Sequence, residues 1–175
     1  MTIGESIPVL GSWFQLFFIE NKGMAFGMFF GGEIGKLILS LFRIVLVILL
    51  IIYIRRLIKN RAPLGVIIGL SLIMVGALGN IIDCAFYGLL FNESTSDQVA
   101  LFLPEGGGYA SFLHGKVVDM LYFPIIQTHL PDWVPFWGGR EFIFFRFIFN
   151  IADSAITTGI LYLLIFQRRF LGMKK

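Results

Sequence analysis

Three long apolar runs constrain the fold of this chain more than any other feature. Leu37–Ile54 is interrupted only by Ser40, Arg43 and Tyr53, and Leu64–Ile82 carries only Ser71 and Asn80 as polar side chains. A third run closes at Phe166, and about 20 residues counted back for a hydrocarbon core put its outer boundary near Phe147. The chain is 57% hydrophobic and 14% charged, whereas soluble domains run near half apolar and a quarter charged. These features predict an α-helical integral membrane protein: a transmembrane helix bundle forming one domain over residues 1–175, with spans near 37–55, 63–83 and 143–167.

Charge sets the orientation. Arg55, Arg56, Lys59 and Arg61 fill the short loop between the first two runs, and Arg168, Arg169, Lys174 and Lys175 make up the tail. None of the 11 acidic residues lies in either segment, so both are expected to be cytoplasmic, and residues 1–36 and 83–141 extracytoplasmic. The net charge of +3 comes from these anchors and calls for no nucleic-acid partner. Three spans with the tail inside leave the N-terminus outside, yet Met1–Ser12 has neither a basic n-region nor an apolar h-region. A further span upstream is therefore expected; a short N-terminal tail that crosses unaided is the alternative.

Polar residues inside the runs are the candidates for function. Phe149-Asn150-Ile151-Ala152-Asp153-Ser154-Ala155-Ile156 sets an amide and a carboxylate in the third run. A mid-membrane carboxylate costs about 2.5–3.5 kcal/mol on insertion scales, so its default reading is functional. At roughly 100° per residue, Arg146, Asn150, Asp153 and Thr157 would share one helix face. Arg43 either snorkels outward or pairs with a carboxylate at similar depth, Asp153 being the candidate. Asn80 and Asp83, at i and i+3, end the second run as helix–helix glue plus an interfacial carboxylate, or as parts of a site. Pro63 opens that run, and Gly65, Gly69, Gly76, Ala77 and Gly79 allow close helix approach.

Outside the runs, residues 13–30 are aromatic-rich before the turn-like Asn21-Lys22-Gly23. They predict a short strand or hairpin on the membrane surface, or an interfacial loop anchored by its aromatics. Asn92–Asp97 and Pro104–Gly108 read as loops. Pro124–Trp137, with Pro131, Trp133, Pro135 and Trp137, suits an irregular or short-helical interfacial segment. The single cysteine, Cys84, makes no intrachain disulfide. His114 and His129 are isolated, and no metal or cofactor motif is present, so neither metal nor cofactor is expected.

Asp119 follows Val117-Val118 in the extracytoplasmic region. Were it to meet Asp153, repulsion and desolvation would drive the two pKa values apart and leave one proton shared. One carboxylate then activates water while its protonated partner polarises a scissile carbonyl. Paired membrane acids also serve transport, so ion or proton translocation through Asp153, Arg43 and Arg146 stands as the alternative.

Four segments, in order, resemble lipoprotein signal peptidases (signal peptidase II). Asn21-Lys22-Gly23-Met24-Ala25-Phe26-Gly27 is similar to the family's Asn-x-Gly-x-Ala-Phe segment, and Gly76–Asp83 to its Gly-Asn-x-x-Asp helix end. Gly115–Met120 is similar to its Val-Val-Asp-Phe segment, and Phe149–Ile156 to its C-terminal signature. The resemblance implies a catalytic dyad of Asp119 and Asp153. It also implies substrate-binding or site-supporting roles for Asn21, Gly23, Asn80, Asp83, Asn150 and Ala152. The implied fold has four transmembrane helices with both ends cytoplasmic, a small extracytoplasmic β element and an interfacial helix; the first of those helices is expected to be missing from this chain. The implied enzyme is an aspartic endopeptidase without cofactor in the bacterial cytoplasmic (inner) membrane, its site facing the extracytoplasmic side. Its partners are membrane lipids and prolipoproteins, cut before a diacylglyceryl-modified lipobox cysteine. The chain departs from the pattern at Cys84, where the family commonly has Arg, with Lys116, Arg140 or Arg146 as candidate substitutes. The stretches on either side of Asp119 are also longer than usual, offering a larger lid. A catalytically impaired homologue is the third reading.

Overall fold

The computed structural model describes residues 1–21 and 32–172. In chain order the elements are β1 (Ser6–Leu10), β2 (Phe14–Asn21), α1 (Gly32–Lys59), α2 (Leu64–Leu90), β3 (Val117–Tyr122), β4 (Ile126–His129), β5 (Glu141–Phe144), β6 (Ile148–Phe149), α3 (Ile151–Phe166) and α4 (Arg168–Gly172). They divide into two compact units. A sheet unit comprises Met1–Glu20, Ser94–Val99 and Val118–Asn150; a helical unit comprises Asn21–Glu93, Ala100–Val117 and Ile151–Lys175.

In the helical unit, α1 has 28 residues and α2 has 27. Each rises about 40 Å at 1.5 Å per residue, more than the roughly 30 Å of a bilayer core. Ile38, Phe42, Val45, Leu49 and Ile52 of α1 are all exposed, the surface a lipid-facing helix needs. These helices are long and apolar enough to cross a membrane. A tight turn joins them. Arg61 takes φ 52°, and Ala62 and Arg61 donate their N–H groups to the carbonyls of Leu57 and Ile58, both at 3.0 Å. That pair of bonds is a Schellman motif, which satisfies carbonyls left open at the end of α1. Pro63 then caps α2, with no N–H to leave unpaired. Leu57, Val66 and Leu163 bury together beside this turn, one from each of the three long helices.

The contact between α2 and α3 is made through backbone. A Cβ added at Gly159 would lie 2.6 Å from the Gly69 carbonyl oxygen, and one at Gly76 would run into the carbonyl of Ala152. Small residues allow this approach.

The sheet unit holds a four-stranded sheet in the order β1-β2-β3-β6 and a separate β4–β5 hairpin. β1 and β2 pair antiparallel with Ile7 opposite Leu16. β3 and β6 pair antiparallel with Leu121 opposite Phe149 and Tyr122 opposite Ile148. β4 and β5 run antiparallel from Ile126 opposite Phe144 to His129 opposite Glu141. The β4–β5 hairpin is thus an insert between two strands that pair with each other. Aromatic rings pack the sheet: Phe14 stacks on Phe123 at 4.6 Å between centroids, and Phe123 lies 5.8 Å from Phe149.

Two sequence expectations change and two become more specific. The second helix runs past Ile82 to Leu90. The third apolar run is strand, not helix, through Phe149, so Arg146 lies between β5 and β6 and Asn150 precedes α3. Neither shares a helix face with Asp153 and Thr157. The cause is composition: Phe and Ile dominate 142–149 and fit a pleated strand, while an uninterrupted apolar run does not by itself select helix over strand. The predicted short strand is β2, which pairs with β1 through a turn at Gly11, φ 55°, while Lys22 and Gly23 of the turn-like Asn21-Lys22-Gly23 lie outside the described residues. Pro124–Trp137 contains β4 and a series of turns and no helix.

Candidate active site

Asp153 sits in the first turn of α3, where the partial positive charge of the helix N-terminus favours a carboxylate. The backbone contact at Gly76 brings α2 against this turn. One helical turn beyond Gly76, the buried Asn80 donates from Nδ2 to Asp153 Oδ1 at 2.9 Å. Ala152 belongs to the same seam: its carbonyl meets Gly76, and its Cβ would be 3.2 Å from a Cβ added at Gly79. Sequence reading singled out Asn80, Ala152 and Asp153 separately, and the helical unit brings all three together.

In the sheet unit, Asp119 lies on β3 with 2% of its surface exposed. The strand alternates, so Val117 and Asp119 are its buried positions while Val118 and Met120 are half-buried. The β3–β6 register brings Asn150 alongside, and its Nδ2 donates to Asp119 Oδ1 at 2.8 Å. A buried carboxylate must be hydrogen-bonded or protonated to be tolerated. Each aspartate therefore receives an asparagine amide, a donor that stabilises the anion without neutralising its charge.

The remaining predicted residues are placed as follows. Asp83 lies on α2 one turn before Tyr87, and its carboxylate acts on the Tyr87 hydroxyl. Asn21 closes β2 with its side chain half-buried. Gly23 lies outside the described residues. The buried Cys84 thiol has the Arg43 guanidinium and the Lys36 ammonium of α1 acting on it electrostatically. The cationic neighbours of this position thus come from α1. Lys116 instead pairs with Glu93 at 3.2 Å, and the Arg140 guanidinium lies over the Trp137 ring.

Sequence reasoning missed Lys36 and Ser40. Lys36, almost buried, donates from Nζ to the His114 carbonyl at 2.6 Å. The Ser40 hydroxyl lies 3.0 Å from the Lys36 carbonyl and 3.1 Å from that of Leu113, both as acceptors. The Gly115 N–H donates to the Cys84 carbonyl at 2.8 Å, and a Cβ on Gly115 would stand 2.7 Å from the Asp83 carbonyl oxygen. The segment that leads into β3 is thereby clamped to α1 and α2. The available signal was a lysine immediately before an apolar run and a glycine just ahead of Val117-Val118-Asp119. Among the described residues, no group of three or more His, Cys, Asp or Glu side chains converges as a metal site would require.

The family profile of signal peptidase (SPase) II matches residues 1–169. The chain belongs to the signal peptidase II family. It is 47% identical to the lipoprotein signal peptidase of Porphyromonas gingivalis, over 99% of this chain and 75% of that protein. It is 37% identical to the lipoprotein signal peptidase of Amoebophilus asiaticus, over 95% of this chain and 66% of that protein. Two solved structures, each described as a bacterial membrane enzyme obtained by the in meso method, share the fold. One superposes with a TM-score of 0.57 at 24% identity, covering 100% of this chain and 77% of the other. The second gives 0.55 at 26%, covering 99% and 79%. As a signal peptidase II family member with two apolar helices of spanning length, the chain is a membrane protein and a peptidase.

Proposed function

We propose that this protein is an aspartic endopeptidase that removes signal peptides from bacterial prolipoproteins, cutting before a diacylglyceryl-modified lipobox cysteine. One observation carries the reading. Asn150 holds Asp119 by its side chain, and three residues later the same stretch presents Asp153 in the first turn of α3. Both acids are thus tied to one short, family-matched segment. Membership of a peptidase family leaves ion or proton translocation without support.

Asp119 and Asp153 act together on the scissile bond, one as general base and the other as general acid. The ionised member takes a proton from water, whose oxygen attacks the peptide carbonyl carbon. The protonated member donates to the carbonyl oxygen as it becomes an alkoxide. When the tetrahedral intermediate collapses, the C–N bond breaks and the leaving nitrogen takes a proton from the first carboxyl, which restores the dyad. Asn80 and Asn150 orient the two acids. Asn21 and Gly23 hold the substrate backbone, while Asp83 and Ala152 shape the surroundings.

The enzyme lies in the cytoplasmic (inner) membrane with its site toward the extracytoplasmic face. α3 serves as a third span, its 16 residues rising about 24 Å from Arg168 and Arg169 at the cytoplasmic boundary. A lipidated cysteine and an apolar signal helix both partition into the bilayer, which delivers the scissile bond to the outer boundary where water is available. The test is cleavage of a synthetic lipidated precursor by the purified full chain in detergent. Asp119→Asn and Asp153→Asn are each expected to abolish turnover while the protein remains folded. Substantial residual cleavage by either variant overturns the dyad. Equal cleavage of the unlipidated precursor overturns the substrate assignment.

A further inference from the structure

The β4–β5 hairpin ends in a cluster of bare aromatic rings. Trp133 is 81% exposed, Phe136 93% and Trp137 60%. This loop has a built conformation. Leu130 and Arg140 close its base, with the Leu130 N–H donating to the Arg140 carbonyl and the Gly139 N–H to the Leu130 carbonyl, both at 2.9 Å. Gly138 packs on the Asp132 backbone, where a Cβ would meet the Asp132 carbonyl oxygen at 2.5 Å. Phe136 takes φ 65°, a left-handed conformation that costs a bulky residue about 1–2 kcal/mol. Strain of that size, held so as to turn a phenyl ring fully outward, indicates something for the ring to meet.

We propose that the hairpin is a bilayer anchor, with Trp133, Phe136 and Trp137 seated at the headgroup boundary of the outer leaflet. The inference rests on α3 being a span, as proposed above. Three observations favour lipid. First, the tip combines two tryptophans with a cation: Arg140 stands 5.9 Å from the Trp137 ring centre. Amphipathic rings concentrate at headgroup level, and a guanidinium beside them suits phosphate groups.

Second, the tether is short. Phe144 and Ile151 are seven residues apart, a length that extends to at most about 25 Å. The hairpin is therefore joined to the first residue of α3 by no more than that length of chain, and Phe145 and Phe147, both exposed, lie along it. Third, α3 rises about 24 Å, some 6 Å less than a hydrocarbon core of roughly 30 Å. About two residues of strand at 3.3 Å each complete the crossing, which sets the boundary near Phe149, in the same short stretch that leads back to the hairpin. The hairpin inserts between β3 and β6, so an anchored tip ties the strand carrying Asp119 to the membrane surface.

The full chain is reconstituted into phosphatidylethanolamine–phosphatidylglycerol vesicles with Trp13→Phe and Trp137→Phe, leaving Trp133 as the fluorophore. Brominated acyl chains are expected to quench about half or more of its emission, with little quenching by aqueous iodide. Phe136→Asp is expected to cut the brominated-lipid quenching at least about two-fold. Quenching by iodide and not by brominated lipid overturns the proposal. Shielding of Trp133 that arises only on addition of a lipidated precursor also overturns it, because the tip then binds substrate. This readout does not use catalysis, so failure of the anchor is distinguishable from failure of the dyad, which Asp119→Asn and Asp153→Asn report.

Discussion

Asn80 on α2 donates its side-chain amide to Asp153 on α3 at 2.9 Å, and the contact exists because Gly76, one turn earlier, lets the two backbones touch. A hydrogen bond to a charged group is worth about 1.5–3 kcal/mol. Asn80→Ala is therefore expected to lower kcat about 10- to 100-fold in the lipidated-precursor assay, with KM little changed, because the amide acts on the acid and not on substrate. A rise in KM at constant kcat would remove Asn80 from this role.

Asn150 does for Asp119 what Asn80 does for Asp153. Asp119 is more deeply buried, so losing its donor carries a stability effect as well. Asn150→Ala is expected to destabilise the protein by about 1–3 kcal/mol and to depress kcat. Thermal unfolding in detergent, measured beside steady-state cleavage, checks both.

Replacing Gly76 tests the seam itself. Any Cβ there collides with the Ala152 carbonyl, a backbone atom that has no rotamer to move to. Gly76→Val is expected to lower stability by about 1–3 kcal/mol or more and to abolish activity by separating Asn80 from Asp153. Wild-type melting and turnover for this variant would show that the helices are not in backbone contact.

Lys36 and Ser40 bind adjacent carbonyls of the segment that leads into β3. Lys36→Met and Ser40→Ala each strip a donor from a polar group with little water nearby, and each is expected to cost about 1–3 kcal/mol. The two residues hold one segment, so their effects are expected to be non-additive in a double-mutant cycle. Strict additivity would show that the two bonds act independently.

Arg61 occupies a left-handed position at the end of α1, where glycine carries no Cβ penalty. Arg61→Gly is expected to raise stability by up to about 1 kcal/mol with cleavage unchanged. A drop in melting temperature would show that the arginine side chain contributes more than its backbone conformation costs.

Much of this could be read from the residues because membrane insertion makes its demands locally. Pro63, the arginines around it and the glycines of α2 announced a helical turn and a close-packed seam, and the structure contains both. Phe142–Phe149 was misread because an apolar stretch bordering a membrane looks alike as strand or helix. The abundance of phenylalanine and isoleucine was the clue to strand. Asn150 was picked as a candidate with the wrong neighbours, since its placement depends on where α3 begins. Lys36 and Ser40 escaped notice because their partners are main-chain carbonyls more than 70 positions away, and no side-chain pattern marks a carbonyl.

The β4–β5 hairpin leaves and re-enters the chain between β3 and β6, which are already hydrogen-bonded to each other. Its ends are therefore held together whatever lies between them. This cassette can thus be lengthened, shortened or re-tipped without disturbing the ladder beneath. An engineer has that licence: a different tip can be grafted there while the β3–β6 pairing keeps its register.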